Sequence, residues 1–576
     1  MNPTLYFDFM NKNGKKESLL FQDPTDIIIA TSVEEVIPSL EKVQEAVDNG
    51  KYAAGYMSYE AAPAFEQAFQ VNKDAKIPLL WFAIFDHPTE TNAPNTSTYY
   101  TSNWTTQTDR SEYNQSIDQI KEHIRQGDTY QVNYTTRLSS TFRGDPFGYY
   151  KQLADSQSAN YSAFLNTGDY SIVSASPELF FHVDHDKITT KPMKGTVGRG
   201  KTAEEDDQNA QWLYESEKNR AENVMIVDLL RNDLGRIAKP GTVRVPELFT
   251  IEKYPTILQM TSTVTAEVEQ GTKIHDIFQA LFPCGSITGA PKVSTMNIIN
   301  QLETSPREIY CGTIGYITPN KEAIFNVPIR TVLIDNQTGD AQYGVGGGIT
   351  WDSTNEEEYE EMRTKAKILS EKNEDFQLLE TLGLNNGNYI VLDQHLNRLQ
   401  KSAVYFHFPV DIVKVRKMLL DLAKKYPRDF WRVRLLVSNN GKVETEIKEY
   451  AGSPDSVNVC LSKTPIENKD IYLYHKTTNR KMYTDRLKEA PDMFDVLLWN
   501  EDEEVTEFTM GNLVVELGNN LYTPPVACGL LAGTYREQLL QDGVITERRI
   551  NVHELMECSR IWLINSVREW VSVRLH

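Results

Sequence analysis

The sequence predicts an α+β chain in two unequal parts that meet near residue 370, and three observations carry that reading. Hydrophobic residues make up 40% and charged residues 24% of 576. These are globular proportions, and they rule out a mostly disordered, collagenous or coiled-coil chain. Strand-like and helix-like segments alternate along the chain with no internal repeat. An acidic helical run near residues 353–375, DSTNEEEYEEMRTKAKILSEKNED, interrupts them before a new pattern starts at FQLLETL.

The elements follow in order. Residues 1–105 read as short strands and loops ending in a polar linker, TETNAPNTSTYYTSNWTTQT. A helix is expected over 109–126, with Tyr113, Ile117, Ile120 and Ile124 on one face. GDTYQVNYTTRL then turns into a strand, further strands flank 170–200, and a long helix fits 207–235. The expected domains are therefore a short N-terminal region at 1–105, a core at 106–370 and a second unit at 371–576.

Lys and Arg total 59 against 80 Asp and Glu, a net charge of −21. That balance argues against a whole-chain affinity for nucleic acid or anionic membrane, though not against a local basic patch, and small anionic substrates need only a few placed cations. No window reaches the ~18 apolar residues of a spanning helix. The start, MNPTLYFDFMNKNGKK, lacks a secretory pattern. Cysteines 284, 311, 460, 528 and 558 are far apart, odd in number and without CxxC. A reduced, cytoplasmic enzyme is expected.

In SEKNRAENVMIVDLLRNDLGR, Glu222 shares a helix face with Ile226, Leu229 and Leu230, where a carboxylate is costly unless compensated. Glu358, Glu361 and Lys365 take adjoining positions on the acidic helix. Upstream, Gly346, Gly347 and Gly348 let backbone N–H groups approach an anion. Sparse carboxylate clusters suit Mg²⁺, which keeps waters and substrate oxygens in its shell. Glu178 follows a proline at the start of a strand, and Lys194 sits in a tight P-M-K-G-T turn. Taken singly, each has an ordinary account as a solvated or salt-bridged residue.

Together, GDTYQVNYTTRL, SASPELFF, KPMKGTVGRG, RAENVMIVDLLRNDLGR, FPCGSITGAPKVSTM, YCGTIGYI, IRTVLI and GGGITWDS…EEEYEEM closely resemble the chorismate-utilising enzymes over about residues 106–370. The resemblance implies a β-sandwich core with outer helices. It makes Glu222, Glu358 and Glu361 the Mg²⁺ ligands, and Tyr310, Arg330, Gly347, Gly348 and Lys365 the groups that fix the substrate's carboxylates. The lysine of PMKGT resembles aminodeoxychorismate synthases, where it adds to ring C2 as the 4-hydroxyl leaves, before ammonia takes C4. Glu178 is then the acid/base. An isochorismate, salicylate or anthranilate synthase core is the alternative. Gln259 stands where the family often has histidine, and an amide carries no proton at neutral pH. The short N-terminal region leaves open whether a bound-tryptophan pocket is complete. No cysteine sits in a G-x-C-x-G elbow, so free ammonia or a separate glutamine amidotransferase subunit is expected.

Beyond residue 370, HKTTNRKMY puts Lys476 after an apparent strand, an acidic hairpin leads to Glu507, LDQHLNRL starts a helix with Arg398, and GLLAGTYREQLL opens another helix. These blocks resemble fold-type IV pyridoxal 5'-phosphate enzymes, which include class IV aminotransferases and aminodeoxychorismate lyase. By that resemblance Lys476 bonds to the cofactor's aldehyde and Glu507 pairs with its ring nitrogen. Arg398, the backbone at Thr534 and Tyr535, and Ser566 hold its phosphate. The leading hairpin of the family is abbreviated. The fusion implies 4-aminobenzoate formation for folate, with an aminotransferase or a non-catalytic module as the alternative for this part. A homodimer is the family's usual assembly.

Overall fold

The computed structural model describes residues 2–11, 13–89, 93–157, 159–369 and 376–576. It divides into two compact units, residues 1–198 with 210–373 and residues 199–209 with 374–576. Among the described residues no helix is long and apolar enough to cross a membrane.

The first unit holds two large sheets. One runs in order through Gly289–Ala290, Gln131–Gly144, Asp340–Ile349, Thr331–Asp335, Tyr170–Ser176, Tyr161–Asn166, Thr4–Met10 and Lys16–Gln22. The other runs from Met193–Gly198 and Ile257–Glu267 through Lys187–Lys191, Leu179–Asp184, Ala323–Asn326 and Thr313–Ile317 to Tyr52–Met57, Leu80–Phe85 and Asp26–Ala30. Several central strands, such as Leu80–Phe85 and Thr313–Ile317, are apolar runs buried on both faces. Leu5, Phe7 and Phe9 of the first sheet meet Tyr56, Trp81 and Tyr316 of the second in one core, with Phe7 and Tyr316 rings 5.3 Å apart. Helices Val33–Asp48 and Ile274–Leu281 cover the second sheet's outer face, and Pro146–Gln157 covers the first's. The unit is a β-sandwich with outer helices.

The stretch expected as a linker contributes edge strands Tyr99–Thr101 and Thr105–Thr106, both paired with Gln131–Gly144; its residues 90–92 lie outside the described residues. The helix expected over 109–126 is Arg110–Gln126, capped by Asp109 with Tyr113, Ile117 and Ile120 buried. The helix expected over 207–235 is two, Ala203–Glu215 and Glu217–Gly235. They break at Ser216, whose hydroxyl accepts from Asn219 N–H and starts the second helix.

One buried charge cluster fixes Gln131–Gly144. The Glu303 carboxylate accepts from Arg307 at 2.7 and 3.0 Å, from Arg137 at 3.2 Å and from both Thr135 donors at 2.8 and 2.9 Å. Arg307 also donates to the Asn133 and Ile287 carbonyls. Two guanidiniums share one carboxylate whose oxygens accept five hydrogen bonds, which makes the dry ion pair tolerable.

In the second unit, strands Asn388–Tyr389, Leu378–Asn385, Phe430–Val437 and Val443–Glu449 form a sheet backed by helices Leu392–Tyr405 and Ile412–Lys425. A separate eight-stranded sheet begins at Val505–Phe508, Asp495–Trp499 and Ser456–Leu461. It continues through Glu569–Leu575, Arg560–Asn565 and Asn512–Leu517 to Asn520–Thr523 and Thr546–Glu547. Pairing of Val505–Phe508 with Asn512–Leu517 closes its first six strands into a barrel filled by Val459, Leu497, Phe508, Leu513, Leu563 and Val571. Residues 199–209 belong to this unit; the Tyr405 hydroxyl donates to the Gly200 carbonyl at 2.8 Å.

Arg307→Met leaves Glu303 short of its main partner inside the sandwich, and the expected cost is about 3–5 kcal/mol. Breaking the exposed Arg363–Glu360 pair by Arg363→Met is expected to cost less than ~1 kcal/mol. Urea unfolding followed by tryptophan fluorescence checks both.

Candidate active sites

The first site is built around a glycine-lined hole. Strands Gln131–Gly144 and Asp340–Ile349 pair in register, with Gly347 opposite Tyr134 and Gly348 opposite Asn133. A Cβ on Gly347 would lie 3.1 Å from Glu358 Oε2, 3.7 Å from Glu361 Oε1 and 3.8 Å from Lys365 Nζ. A Cβ on Gly348 would lie 2.0 Å from Gln131 Nε2 and 2.9 Å from Lys194 Nζ. The absent side chains are what let the charged groups of helix Asn355–Ala366 and the Lys194 amine converge on one strand.

Lys194 lies within strand Met193–Gly198 rather than in a turn. The register slips between Met193 and Thr196 opposite Ile257–Glu267, and Gly195 sits at φ +88°. That bulge re-aims the side chain. Gln259 secures it: its Nε2 donates to the Gly195 carbonyl at 2.8 Å and its Oε1 accepts from the Thr196 hydroxyl at 2.9 Å. The amide at the family's histidine position thus holds the lysine's strand.

The electrostatics are mutual. Burial pushes the Lys194 amine below its usual range, and Glu222 opposes while Lys365 assists. Burial raises Glu178 to about 7, against Ser286, Lys194 and the Met193 N–H; one of its carboxylate oxygens has no partner among the described residues. Glu222 and Glu358 are also raised by burial. Glu361 is lowered by Lys365, 2.7 Å away. Lys365 also donates to the Gly346 carbonyl at 2.9 Å.

Tyr310 and Arg330 stand further along. The Tyr310 ring packs on Gly344, four residues from Gly348 on the same strand face, beneath the Arg137 guanidinium at 5.4 Å. Arg330 is held at φ +53°, a strained conformation for a side chain of this size, and donates to Gln157 Oε1 at 2.5 Å.

Among the described residues no three carboxylate, imidazole or thiol side chains stand close enough to enclose an ion. Glu358 and Glu361 face Gly347 together, and Glu222 interacts with Glu361 and Lys194 from its own helix. A donor set that leaves room for water and substrate oxygens fits Mg²⁺.

The residue missed from sequence is Gln131. It is fully buried, and neither amide atom has a partner among the described residues. A glutamine at the start of a strand gives no signal of this; only the pairing opposite Ala290 and the missing Cβ of Gly348 reveal it.

The second site is a cavity of about 220 Å³ lined by Arg398, Lys476, Tyr483, Glu507, Thr534 and Ser566, among others. Lys476 follows a 3-10 turn, Ile471–Leu473, and not a strand; the segment is fixed by the bridge from Thr477 to Leu378. Burial lowers its amine to about 7, with Arg398 and Arg480 adding to the effect. Glu507 projects from strand Val505–Phe508 and accepts from the Tyr483 hydroxyl at 2.8 Å, Asn512 Nδ2 at 3.1 Å and Leu531 N–H at 3.2 Å. Burial still raises it to about 7.

Arg398 forms a fork with Glu380 at 2.6 and 2.9 Å and donates to the Ala532 carbonyl at 3.0 Å. Glu380 accepts also from His395 Nδ1 at 2.6 Å, and His395 Nε2 lies 2.8 Å from Ser566 Oγ and 3.2 Å from Thr534 Oγ1. Burial works against the Glu380 carboxylate, but Arg398 and His395 outweigh it and hold the group at about 2. Thr534 opens helix Thr534–Gln541 after Gly533. The Tyr535 side chain does not line the cavity; it packs among Val514, Leu539 and Trp570. A guanidinium, two hydroxyls, a depressed amine and a buried carboxyl fit an aldehyde that bears a phosphate and a basic ring nitrogen. Glu380 and His395 were not foreseen, since a glutamate in a strand and a histidine on a helix face usually serve the fold.

Residues 3–371 match the chorismate binding enzyme family, well over half of the chain. The chain belongs to that family. Residues 377–575 match amino-transferase class IV, so a class IV domain follows the chorismate-binding one. Among curated relatives, aminodeoxychorismate synthase component 1 of Escherichia coli is 42% identical over 261 residues, 45% of this chain and 57% of that relative. The Bacillus subtilis protein of the same name is 42% identical over 254 residues, 44% and 54% respectively. The chain thus spans little more than half the length of these relatives. The solved anthranilate synthase component I from Streptococcus pneumoniae is 26% identical with a TM-score of 0.52, covering 64% of this chain and 91% of that one.

The raised Glu178 carboxyl makes a stability prediction. Its neutral form is favoured in the fold, so its contribution is complete below the ordinary carboxyl range and is lost as pH rises through about 7. Glu178→Gln is expected to reduce the fall in the urea midpoint between pH 5 and pH 8. An unchanged pH slope would show that the carboxyl is not held neutral.

Proposed function

We propose that the chain makes 4-aminobenzoate in two steps, amination of chorismate in the first unit and elimination of pyruvate from aminodeoxychorismate in the second. The observation that carries this is the depressed Lys194 amine beside the unpartnered Gln131 amide at Gly348. A neutral amine is the nucleophile that covalent catalysis needs. The neighbouring amide cannot take a proton from water, so it gives a weak nucleophile no general-base help and favours ammonia, a stronger nucleophile that needs none, over hydration of the ring.

The Lys194 amine bonds to ring C2 while the C4–O bond breaks, and Glu178, neutral at and below about pH 7, gives the departing hydroxyl its proton. Ammonia then bonds to C4, the C2–N bond breaks, and Lys194 leaves as an amine. Tyr310, Arg330, Lys365 and the N–H groups at Gly347 and Gly348 hold the substrate's carboxylates. Glu222, Glu358 and Glu361 would hold Mg²⁺, which supplies charge neutralisation at a ring carboxylate.

In the second unit Arg398, Thr534 and Ser566 would hold the phosphate of pyridoxal 5'-phosphate and Glu507 its ring nitrogen. When bound, that group supplies an electron sink for the loss of pyruvate. Lys476, with an amine near 7, moves the proton. A non-catalytic second unit would have no use for a depressed lysine facing a buried glutamate across one cavity.

All five cysteines are free thiols whose ionisation is pushed up by burial, Cys284 and Cys528 to about 12. A glutaminase needs an activated thiolate. This supports free ammonia, or a separate amidotransferase subunit, as the nitrogen source.

Two variants separate the steps. With chorismate, Mg²⁺ and ammonium, Lys194→Ala is expected to form no aminated product. Lys476→Ala is expected to accumulate aminodeoxychorismate without 4-aminobenzoate. Liquid chromatography reads both, and unaltered 4-aminobenzoate formation by either variant would contradict its assigned lysine role.

A further inference from the structure

His395 is the one member of the second site whose hydrogen bonds do not suit the anion that the site is proposed to hold. Its Nδ1 faces the Glu380 carboxylate at 2.6 Å, and an ionised carboxylate only accepts, so Nδ1 carries a hydrogen. In a neutral ring Nε2 is then an acceptor, and it takes the hydroxyl hydrogen of Ser566 or Thr534, at 2.8 and 3.2 Å. Ser566 also stands 3.1 Å from the Thr381 carbonyl, the only other outlet for its hydrogen among the described residues. A neutral His395 therefore competes with the ligand for one of the two hydroxyl hydrogens. A protonated ring reverses the pattern: Nε2–H donates to a hydroxyl oxygen, and the hydroxyl hydrogens turn to the anion.

The charges point the same way. The charged groups that face His395 are Glu380 on strand Leu378–Asn385, Arg398 on its own helix and Lys476 across the cavity. Glu380 favours the charged ring, and burial, the largest influence, opposes it. Burial, Arg398 and Lys476 keep the ring neutral before an anion arrives. A phosphate dianion beside Thr534 and Ser566 outweighs them, because an opposite charge within ~4–6 Å in a low-dielectric site strongly favours the charged form.

We propose that His395 takes one proton from solvent when a phosphate monoester docks on Arg398, Thr534 and Ser566, so that a buried Glu380–His395 ion pair and the bound anion form together. This rests on the cofactor reading above and adds a positioning residue to it: His395 touches the hydroxyls, and the hydroxyls touch the phosphate.

The test is nitrogen-15 histidine NMR on the full chain at pH 7.5, with the His395 signal assigned by its loss in His395→Asn. The chain loaded with pyridoxal 5'-phosphate is expected to show an imidazolium. The chain stripped of it should show the neutral Nδ1–H tautomer, and saturating inorganic phosphate should restore the imidazolium. Glu380→Gln, which keeps the ring but removes its counter-charge, should leave His395 neutral throughout and weaken phosphate binding about tenfold, the effect of losing one charge-assisted hydrogen bond. This variant also serves if His395→Asn does not fold. One protonation state in all three wild-type samples would overturn the inference while leaving the cofactor assignment intact. If neither pyridoxal 5'-phosphate nor phosphate binds, the cofactor assignment fails and this inference fails with it.

Discussion

A half-buried amine set beside a buried carboxyl is the constraint on which both sites depend. Lys194 and Lys476 are each depressed chiefly by burial, and in each case a neighbouring cation, Lys365 or Arg398, adds to the effect. Each faces a carboxyl raised to about 7 by the same exclusion of water, Glu178 in one unit and Glu507 in the other. Low dielectric thus makes the amine a base or nucleophile and lets the carboxyl hold a proton at neutral pH. Neither behaviour is available to the same residues on a solvated surface.

Burying those carboxyls and shielding those amines is the work of the scaffold. In the first unit, the strand that carries Gln131 is locked from behind by two arginines on Glu303, a cluster with no role at the reacting atoms. It also pairs with Gly347, which leaves room for Glu358 and Lys365, and with Gly348, which leaves room for Lys194. Gln259 fixes the bulge that aims Lys194. In the second unit, a six-strand barrel presents Glu507, and the Glu380 carboxylate gathers Arg398 and His395. Strands and helices carry Lys194, Glu358, Glu361, Glu507 and Arg398, and short connections place Glu178 and Lys476 beside them.

Much of this was legible in the sequence wherever one periodic signal dominated. The helix after Asp109 followed from four apolar residues at helical spacing, and the hairpin before Glu507 followed from its acidic turn. The blocks that resemble known families located the lysines. Local composition misled where tertiary pairing overrode it. PMKGT has the glycine and proline of a turn, yet it pairs as a bulged edge strand against Ile257–Glu267. IYLYHK has the residues of a strand but makes a 3-10 turn, because its backbone finds partners within itself and through Thr477. The long helix over 207–235 breaks at Ser216, where a capping hydroxyl competes with the helix. Gln131, Glu380 and His395 were invisible for a different reason. Each is one polar residue in an ordinary pattern, and its meaning comes only from atoms far away in sequence: Gly348 for Gln131, and Ser566 and Thr534 for His395.

The central claim is that two amines act in sequence on one substrate, the first admitting nitrogen and the second releasing pyruvate. The most direct measurement is a single incubation of the chain with chorismate, Mg²⁺, pyridoxal 5'-phosphate and nitrogen-15-labelled ammonium, with products identified by mass spectrometry. The account predicts labelled 4-aminobenzoate and pyruvate in equal amounts. Isochorismate, salicylate or labelled anthranilate as the main product, with no labelled 4-aminobenzoate, would contradict it.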